Sequence, residues 1–169
     1  MKDVTKNITY NGILAALYVA ITFLTIPISF GQIQFRFAEI LVLLCFFNRK
    51  NCFGIILGTF IANLFSTLGL WDLLFGVGAT IISCVLICLS KHLIVALIWP
   101  TLCNSILIGL ELFIVFGGNE ISLFFINAGY VFLGELVVLL VGYFIFLLLR
   151  KRKDFVLITN ANRNIDFKF

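Results

Sequence analysis

The sequence predicts an all-α membrane protein with six transmembrane helices and with both termini in the cytoplasm. Of its 169 residues, 62% are hydrophobic and only 12% are charged, and the mean hydropathy is +1.17. A soluble domain of this size carries far more charge on its surface. Long apolar runs alternate with short polar breaks, and the basic residues gather at those breaks, as in multi-pass membrane proteins.

The first three apolar runs are bounded by proline or by charged residues. They cover residues 8–26, closed by Pro27, then residues 37–47, and then residues 52–68. The second run is too short to cross about 30 Å of hydrocarbon as an untilted helix rising about 1.5 Å per residue. Irregular backbone at that depth survives only beside protein or a water-lined cavity. This run therefore favours a cavity near the outer loop, with an ordinary loop and a tilted helix as the alternative.

The remaining three runs have clearer ends. Residues 71–90 stop at Lys91 and His92, residues 93–116 contain Pro100 as a predicted kink, and residues 121–149 follow a glycine-rich turn. Six spans of about 20 residues leave no room for a soluble domain. We predict one transmembrane domain over residues 1–149 and a basic cytoplasmic tail over residues 150–169.

The distribution of Lys and Arg predicts the orientation in the cell membrane. With six spans, eleven of the twelve basic residues fall on one side, and only Arg36 falls on the other. The positive-inside rule assigns the basic side to the cytoplasm. A missed or additional helix would scatter these charges over both sides.

Polar side chains within the predicted spans favour the outer half of the bilayer. Such groups are costly in lipid and usually mark a site with a partner. Together with Arg36 they predict a ligand pocket that opens outward. Its acids suit a cationic ligand, or the edge of a purine-type base whose two parallel N–H groups a carboxylate accepts. The outer-half residues are Glu39, Asn63, Asp72, Asn104, Glu111 and Asn127, and Glu135 lies nearer the midplane.

Some of these side chains also have plausible structural roles. Arg36 and Glu39 are three residues apart, a spacing at which they pair on a helix. Asp72 beside Trp71 has the position of an anchor at a helix start, and asparagines often hydrogen-bond between membrane helices. Glu111 and Glu135 are harder to explain structurally, because burying an unpaired acid is costly.

Two stripes of small residues recur every four positions along predicted spans. Such stripes allow helices to approach closely, either within the chain or at a surface where another membrane subunit docks. The two stripes are Gly12, Ala16 and Ala20 on the first span, and Gly54, Gly58 and Ala62 on the third.

The five cysteines lie in or beside apolar runs, and we interpret them as packing residues with no metal site. Cys84 and Cys88 share a helix face, but His92, the sole histidine, is in a loop. The sequence also contains no phosphate-binding Gly-x-x-x-x-Gly-Lys-Ser/Thr loop. We expect no cofactor in the chain itself.

Residues 27–39, Pro-Ile-Ser-Phe-Gly-Gln-Ile-Gln-Phe-Arg-Phe-Ala-Glu, resemble the QueT family. These proteins are substrate-binding (S) components of energy-coupling factor (ECF) transporters linked to the uptake of queuosine precursors. The resemblance continues through residues 54–58, 61–63 and 72–76 and is most diagnostic over residues 27–80. The resemblance covers most of the chain. The long basic tail departs from it, and we assign that tail no role.

The resemblance implies a six-helix S component that captures a vitamin-like molecule from outside. It would dock on a membrane coupling subunit driven by two ATPases and topple in the bilayer to release its ligand. The Ala16–Ala20 spacing is similar to the motif that contacts the coupling subunit, and this favours a docking face that includes Gly12. ATP would be hydrolysed by the partner subunits.

The implied substrate is a 7-deazaguanine such as 7-aminomethyl-7-deazaguanine, or queuine. The residues that the resemblance supports as its binding site are Gln34, Arg36, Glu39, Asn63 and Asp72. Asn104, Glu111, Asn127 and Glu135 rest on the depth argument alone. An S component for another vitamin, of the thiamine or biotin class, is the main alternative. An intramembrane enzyme would need a metal-ligand cluster or a nucleophile beside a base, and the sequence offers neither. A purely structural protein is a further alternative, and it should tolerate loss of Glu39 and Asn63.

Overall fold

The computed structural model describes residues 2–29, 35–116 and 120–159, and every regular element in these ranges is helical. Four helices are long and apolar enough to cross a membrane. They are α1 (Lys2–Leu24), α5 (Leu70–Leu89), α6 (Leu93–Phe116) and α7 (Ile121–Leu149). The all-helical class is confirmed, whereas the count of six spans and the cytoplasmic placement of both termini stay predictions.

The shorter elements include the two apolar stretches that were predicted as the second and third spans. The second stretch consists of a 3₁₀ helix η1 followed by α3, and the third consists of α4 alone. Each is about 20 Å long at the usual rise per residue, less than the hydrocarbon thickness. The shorter elements are α2 (Ile26–Ser29), η1 (Phe37–Leu43), α3 (Leu44–Phe47), α4 (Asn51–Asn63) and α8 (Lys153–Ile158).

Helix ends agree with the sequence where charged residues mark them and differ where they do not. Helices α6 and α7 have the predicted bounds, and α6 continues through Pro100. Helix α1 starts six residues before the predicted span, because polar residues near its start are compatible with a helix. The prediction for residues 64–68 is wrong: α4 ends at Asn63, and the chain turns before α5. Gly69 has a φ of 57° at the end of this turn, in the region that favours glycine.

Close helix packing fixes the arrangement of the bundle. Helix α7 packs along α6, α6 along α5 and α1 along α4, while η1 contacts both α1 and α7. The stripe on α4 faces α1, because a Cβ on Gly54 would lie 2.7 Å from the Asn11 carbonyl oxygen and one on Gly58 2.8 Å from the Tyr18 Cβ. The stripe on α4 therefore serves packing within the chain.

The end of the bundle that carries the C-terminal segment is closed by aromatic side chains. The Phe155 ring of α8 packs edge-on against Phe47 at 5.3 Å and tilted against Phe146 at 5.8 Å. Part of the predicted tail is thus a short helix that packs under the bundle. The buried polar residues that form the candidate site lie on the elements above it.

Candidate functional site

Six of the seven candidate polar residues that the sequence places within predicted spans are almost fully buried. Glu39, Asn63, Asp72, Asn104, Glu111 and Glu135 each expose 2% of their surface or less. They come from η1, α4, α5, α6 and α7, so five elements contribute to one polar cluster. Membrane proteins retain such groups mainly where they pair with one another or meet a ligand.

Arg36 connects the acids of this cluster. It directly precedes η1 and exposes only 2% of its surface. Its guanidinium interacts electrostatically with the carboxyl groups of Glu39, Asp72 and Glu135, and also with that of Glu111. A single cation therefore lies among four acids in an environment of low dielectric, where such interactions are strong.

The corner between α4 and α5 positions Asn63. Its Nδ2 donates a hydrogen bond of 2.9 Å to the backbone carbonyl of Asp72. Gly76 makes this contact sterically possible, because a Cβ at that position would lie 2.5 Å from Asn63 Nδ2 and 3.7 Å from Arg36 Nη1. The lack of a side chain at Gly76 leaves room for the amide and the guanidinium.

Tyr18 on α1 belongs to the site although the sequence did not single it out. Its hydroxyl donates a 2.5 Å hydrogen bond to Glu39 Oε1, and the Tyr18 side chain is buried. A tyrosine in an apolar run looks like a core residue. The one available signal was that a buried tyrosine hydroxyl needs a partner and Glu39 needs a donor.

Helices α6 and α7 contribute the other side of the cluster. Asn104 Nδ2 donates to Glu135 Oε1 at 2.8 Å. One and a half to two turns further along α6, the Glu111 carboxyl lies close enough to that of Asp72 for the two to interact. Helices α6 and α7 pack closely at Gly109, since a Cβ at this position would lie 2.8 Å from the Ala128 Cβ.

Five buried acceptor oxygens of this cluster have no hydrogen-bond partner among the described residues. A buried polar atom without a partner costs about 1–3 kcal/mol, so native proteins contain few of them. All five are carboxyl or amide oxygens, which suits a ligand with several donor groups. They are Asp72 Oδ1, Asn104 Oδ1, Glu111 Oε1, Glu111 Oε2 and Glu135 Oε2.

Two of the predicted site residues are not part of this cluster as described. Gln34 lies outside the described residues. The Asn127 side chain is half-buried on α7 and forms no hydrogen bond with another described residue. The indole of Trp71, beside Asp72, stacks on Phe75 with the ring centres 6.0 Å apart and is 42% exposed.

Comparison with known proteins gives one curated relative and one family. The relative is described as "Queuosine precursor transporter QueT" from Lactococcus lactis subsp. cremoris (strain MG1363), and it is 40% identical over 67 residues. That match covers 38% of this chain and 40% of the relative, well under two thirds of its length. No solved structure matches the chain. The model of the QueT transporter family matches residues 8–151, most of the sequence. The chain therefore belongs to the QueT transporter family.

Proposed function

We propose that the chain is the S component of an ECF-type importer that captures a 7-deazaguanine, such as 7-aminomethyl-7-deazaguanine or queuine, from outside the cell. Family membership supports transport of a queuosine precursor. The observation that carries the choice of ligand is the set of five buried acceptor oxygens without partners among the described residues.

The chemistry of a 7-deazaguanine complements these acceptors. The base has an N1–H and an exocyclic amine along one edge, a pattern that a carboxylate accepts with two parallel bonds. An aminomethyl group adds a cation with three more donors. Glu111 offers two free oxygens for such a pair of bonds, and Asp72 and Glu135 offer one each. A donor-rich cation would therefore satisfy the acceptors and balance the excess of acids around Arg36.

The proposed topology has six spans, with the shorter stretches Phe37–Phe47 and Asn51–Asn63 crossing as the second and third. Their lengths of about 20 Å suit segments that lie among longer helices and border a polar cluster. Eleven of the twelve basic residues then lie on the cytoplasmic side. The polar cluster lies toward the outer side, at the ends of η1, α4 and α5 that are remote from Arg49 and Lys50.

The proposed docking face for the coupling subunit is the exposed stripe of α1. Gly12, Ala16 and Ala20 are all exposed, and α1 is the least covered of the four long helices. No described atom lies within 4 Å of a Cβ placed on Gly12, in contrast to Gly54 and Gly58 on α4. Gly12 also lines a mostly apolar groove of about 470 Å³ between α1 and α4. A partner helix can approach closely here. Two ATPase subunits would supply the energy.

A calorimetric titration of the purified chain tests this function. We expect nanomolar binding of 7-aminomethyl-7-deazaguanine, and no comparable binding of guanine, thiamine or biotin. Tight binding of thiamine or biotin would assign the chain to another vitamin. Absence of binding to the deazaguanines would remove the proposed substrate class.

A further inference from the structure

A second group of side chains, all thiols, lies where α3, α4 and α5 meet, next to the polar cluster and within electrostatic reach of Glu39. The Sγ atoms of Cys45, Cys52 and Cys84 all lie within 4.8 Å of one another. Cys45 and Cys84 are buried, and Cys52 is half-buried. Three separate helices thus bring a thiol to the same point, a proximity that the sequence spacing does not reveal.

The separations of these thiols match those in a thiolate metal site. Cys45 Sγ lies 3.7 Å from Cys84 Sγ, and Cys52 Sγ lies 3.5 Å from Cys88 Sγ. Four sulfurs at about 2.3 Å from a tetrahedral zinc ion are about 3.8 Å apart. The sulfurs of a disulfide are about 2.05 Å apart. The observed separations are those of unbridged thiols in contact, and they lie within about 0.3 Å of the spacing in a tetrahedral thiolate site.

Cys88 supplies a fourth thiol at the edge of this group. It lies one turn after Cys84 on α5, and its Sγ is 3.8 Å from the Cys45 backbone carbonyl oxygen. Its 3.5 Å contact with Cys52 Sγ makes Cys88 the candidate for a fourth ligand.

We propose that Cys45, Cys52, Cys84 and Cys88 bind one thiophilic divalent ion of the Zn²⁺ type, which clamps α3 to α4 and α5. Each thiol releases its proton to water on binding and coordinates as a thiolate. Four thiolates and a divalent ion leave a net charge of −2, and the neighbouring loop supplies Arg49 and Lys50, both exposed. Cys52, in the first turn of α4, is half-buried and follows the exposed Arg49 and Lys50, so the ion would enter there.

The clamp would hold a short, fully buried segment of the fold against two longer helices. Helix α3 has only four residues, and it continues the 3₁₀ helix that carries Glu39. A structural thiolate site holds such short elements in place with a large binding free energy. This role differs from the packing role that the sequence predicts for the same cysteines, and it does not depend on which substrate the protein carries.

Cobalt titration of the purified, reduced protein tests the proposal, because Co²⁺ replaces Zn²⁺ and reports its ligands by absorption. We expect one Co²⁺ per chain, with the sulfur-to-metal charge-transfer and d–d bands of tetrahedral thiolate coordination, and displacement by one equivalent of Zn²⁺. Cys84→Ser should abolish the charge-transfer band, whereas Cys103→Ser should retain it. Cys103 is the matched control, a half-buried cysteine on α6 outside the group.

Cys52→Ser keeps the test decisive if the buried variants fail to fold, since this position is only half-buried. It should weaken Co²⁺ binding at least tenfold and remove the protection of the thiols from maleimide that Zn²⁺ gives to the unmodified chain. The absence of a thiolate band in the unmodified chain would overturn the proposal, as would unchanged binding in folded Cys52→Ser and Cys84→Ser. A Cys52–Cys88 disulfide that persists in the reduced preparation would also overturn it.

Discussion

Both carboxylate oxygens of Glu111 are buried and have no hydrogen-bond partner among the described residues. The Glu111 side chain exposes none of its surface. Asp72 and Glu135 each have one buried carboxyl oxygen without a hydrogen-bond partner among the described residues. We expect a ligand that brings donor groups to complete this site.

Replacing Glu111 by Gln should weaken binding of 7-aminomethyl-7-deazaguanine by at least about tenfold, or about 1.4 kcal/mol. The amide exchanges an acceptor for a donor, which then faces the N–H groups of the ligand, and it removes a negative charge. Calorimetry on the purified variant measures the effect. Glu120→Gln, at an exposed acid before α7, is the matched control and should bind normally. Unchanged affinity in Glu111→Gln would remove this residue from the site.

Depth along the spans was enough to predict most of this cluster from the sequence. Glu39, Asp72, Glu111 and Glu135 stand out because acids are rare in apolar runs. Tyr18 could not be separated from ordinary core aromatics in the same way. The proximity of Cys45 to Cys84 could not be predicted either, because it depends on how the helices pack and not on any spacing along the chain.

The approach of α4 to α5 depends on the absence of a side chain at Gly76. Gly76→Ala would place a Cβ 2.5 Å from Asn63 Nδ2, so the amide must shift and its hydrogen bond to Asp72 must weaken. We expect a net loss of stability, because the overpacking cost of about 1–3 kcal/mol exceeds the helix-propensity gain of up to about 1 kcal/mol, together with weaker ligand binding. Thermal unfolding and calorimetry measure the two effects.

Gly78→Ala is the matched control on the same helix. No described atom lies within 4 Å of a Cβ at this position, and alanine favours a helix over glycine by up to about 1 kcal/mol. This variant should bind normally and melt no lower than the unmodified chain. Equal behaviour of the two variants would show that Gly76 does not position Asn63.

Helix boundaries illustrate what the apolar pattern can and cannot predict. Lys91 and His92 separate α5 from α6 as the sequence indicates, because charges rarely continue a buried span. The end of α4 was predicted too late, because Leu64, Phe65 and Leu68 extend the apolar run although the backbone already turns. Hydrophobicity reports exposure to lipid or core, whereas helix ends depend on local backbone geometry.

The whole molecule presents two small-residue stripes that the sequence alone could not tell apart. The glycines of the α4 stripe pack against α1, whereas Gly12, Ala16 and Ala20 of the α1 stripe are exposed. This difference depends on which face each helix turns inward, and that face follows from the packing of the complete bundle. The exposed stripe is the one that we assign to docking.

Ala16→Trp should retain ligand binding and abolish uptake in cells that contain the coupling module. The indole would prevent close approach of a partner helix while pointing away from the buried cluster. Leu133→Trp, at an exposed position on α7, is the control for added bulk and should retain uptake. Normal uptake in Ala16→Trp would place the docking face elsewhere on the molecule.

The most direct test of the buried acceptor cluster compares two ligands that differ by one cationic group. Calorimetry on the purified chain would measure the Kd of 7-aminomethyl-7-deazaguanine and of unsubstituted 7-deazaguanine under the same conditions. We expect the aminomethyl compound to bind at least about tenfold more tightly, or by about 1.4 kcal/mol, because its ammonium satisfies buried acid oxygens. Equal affinity for the two ligands, or tighter binding of the uncharged one, would contradict this expectation.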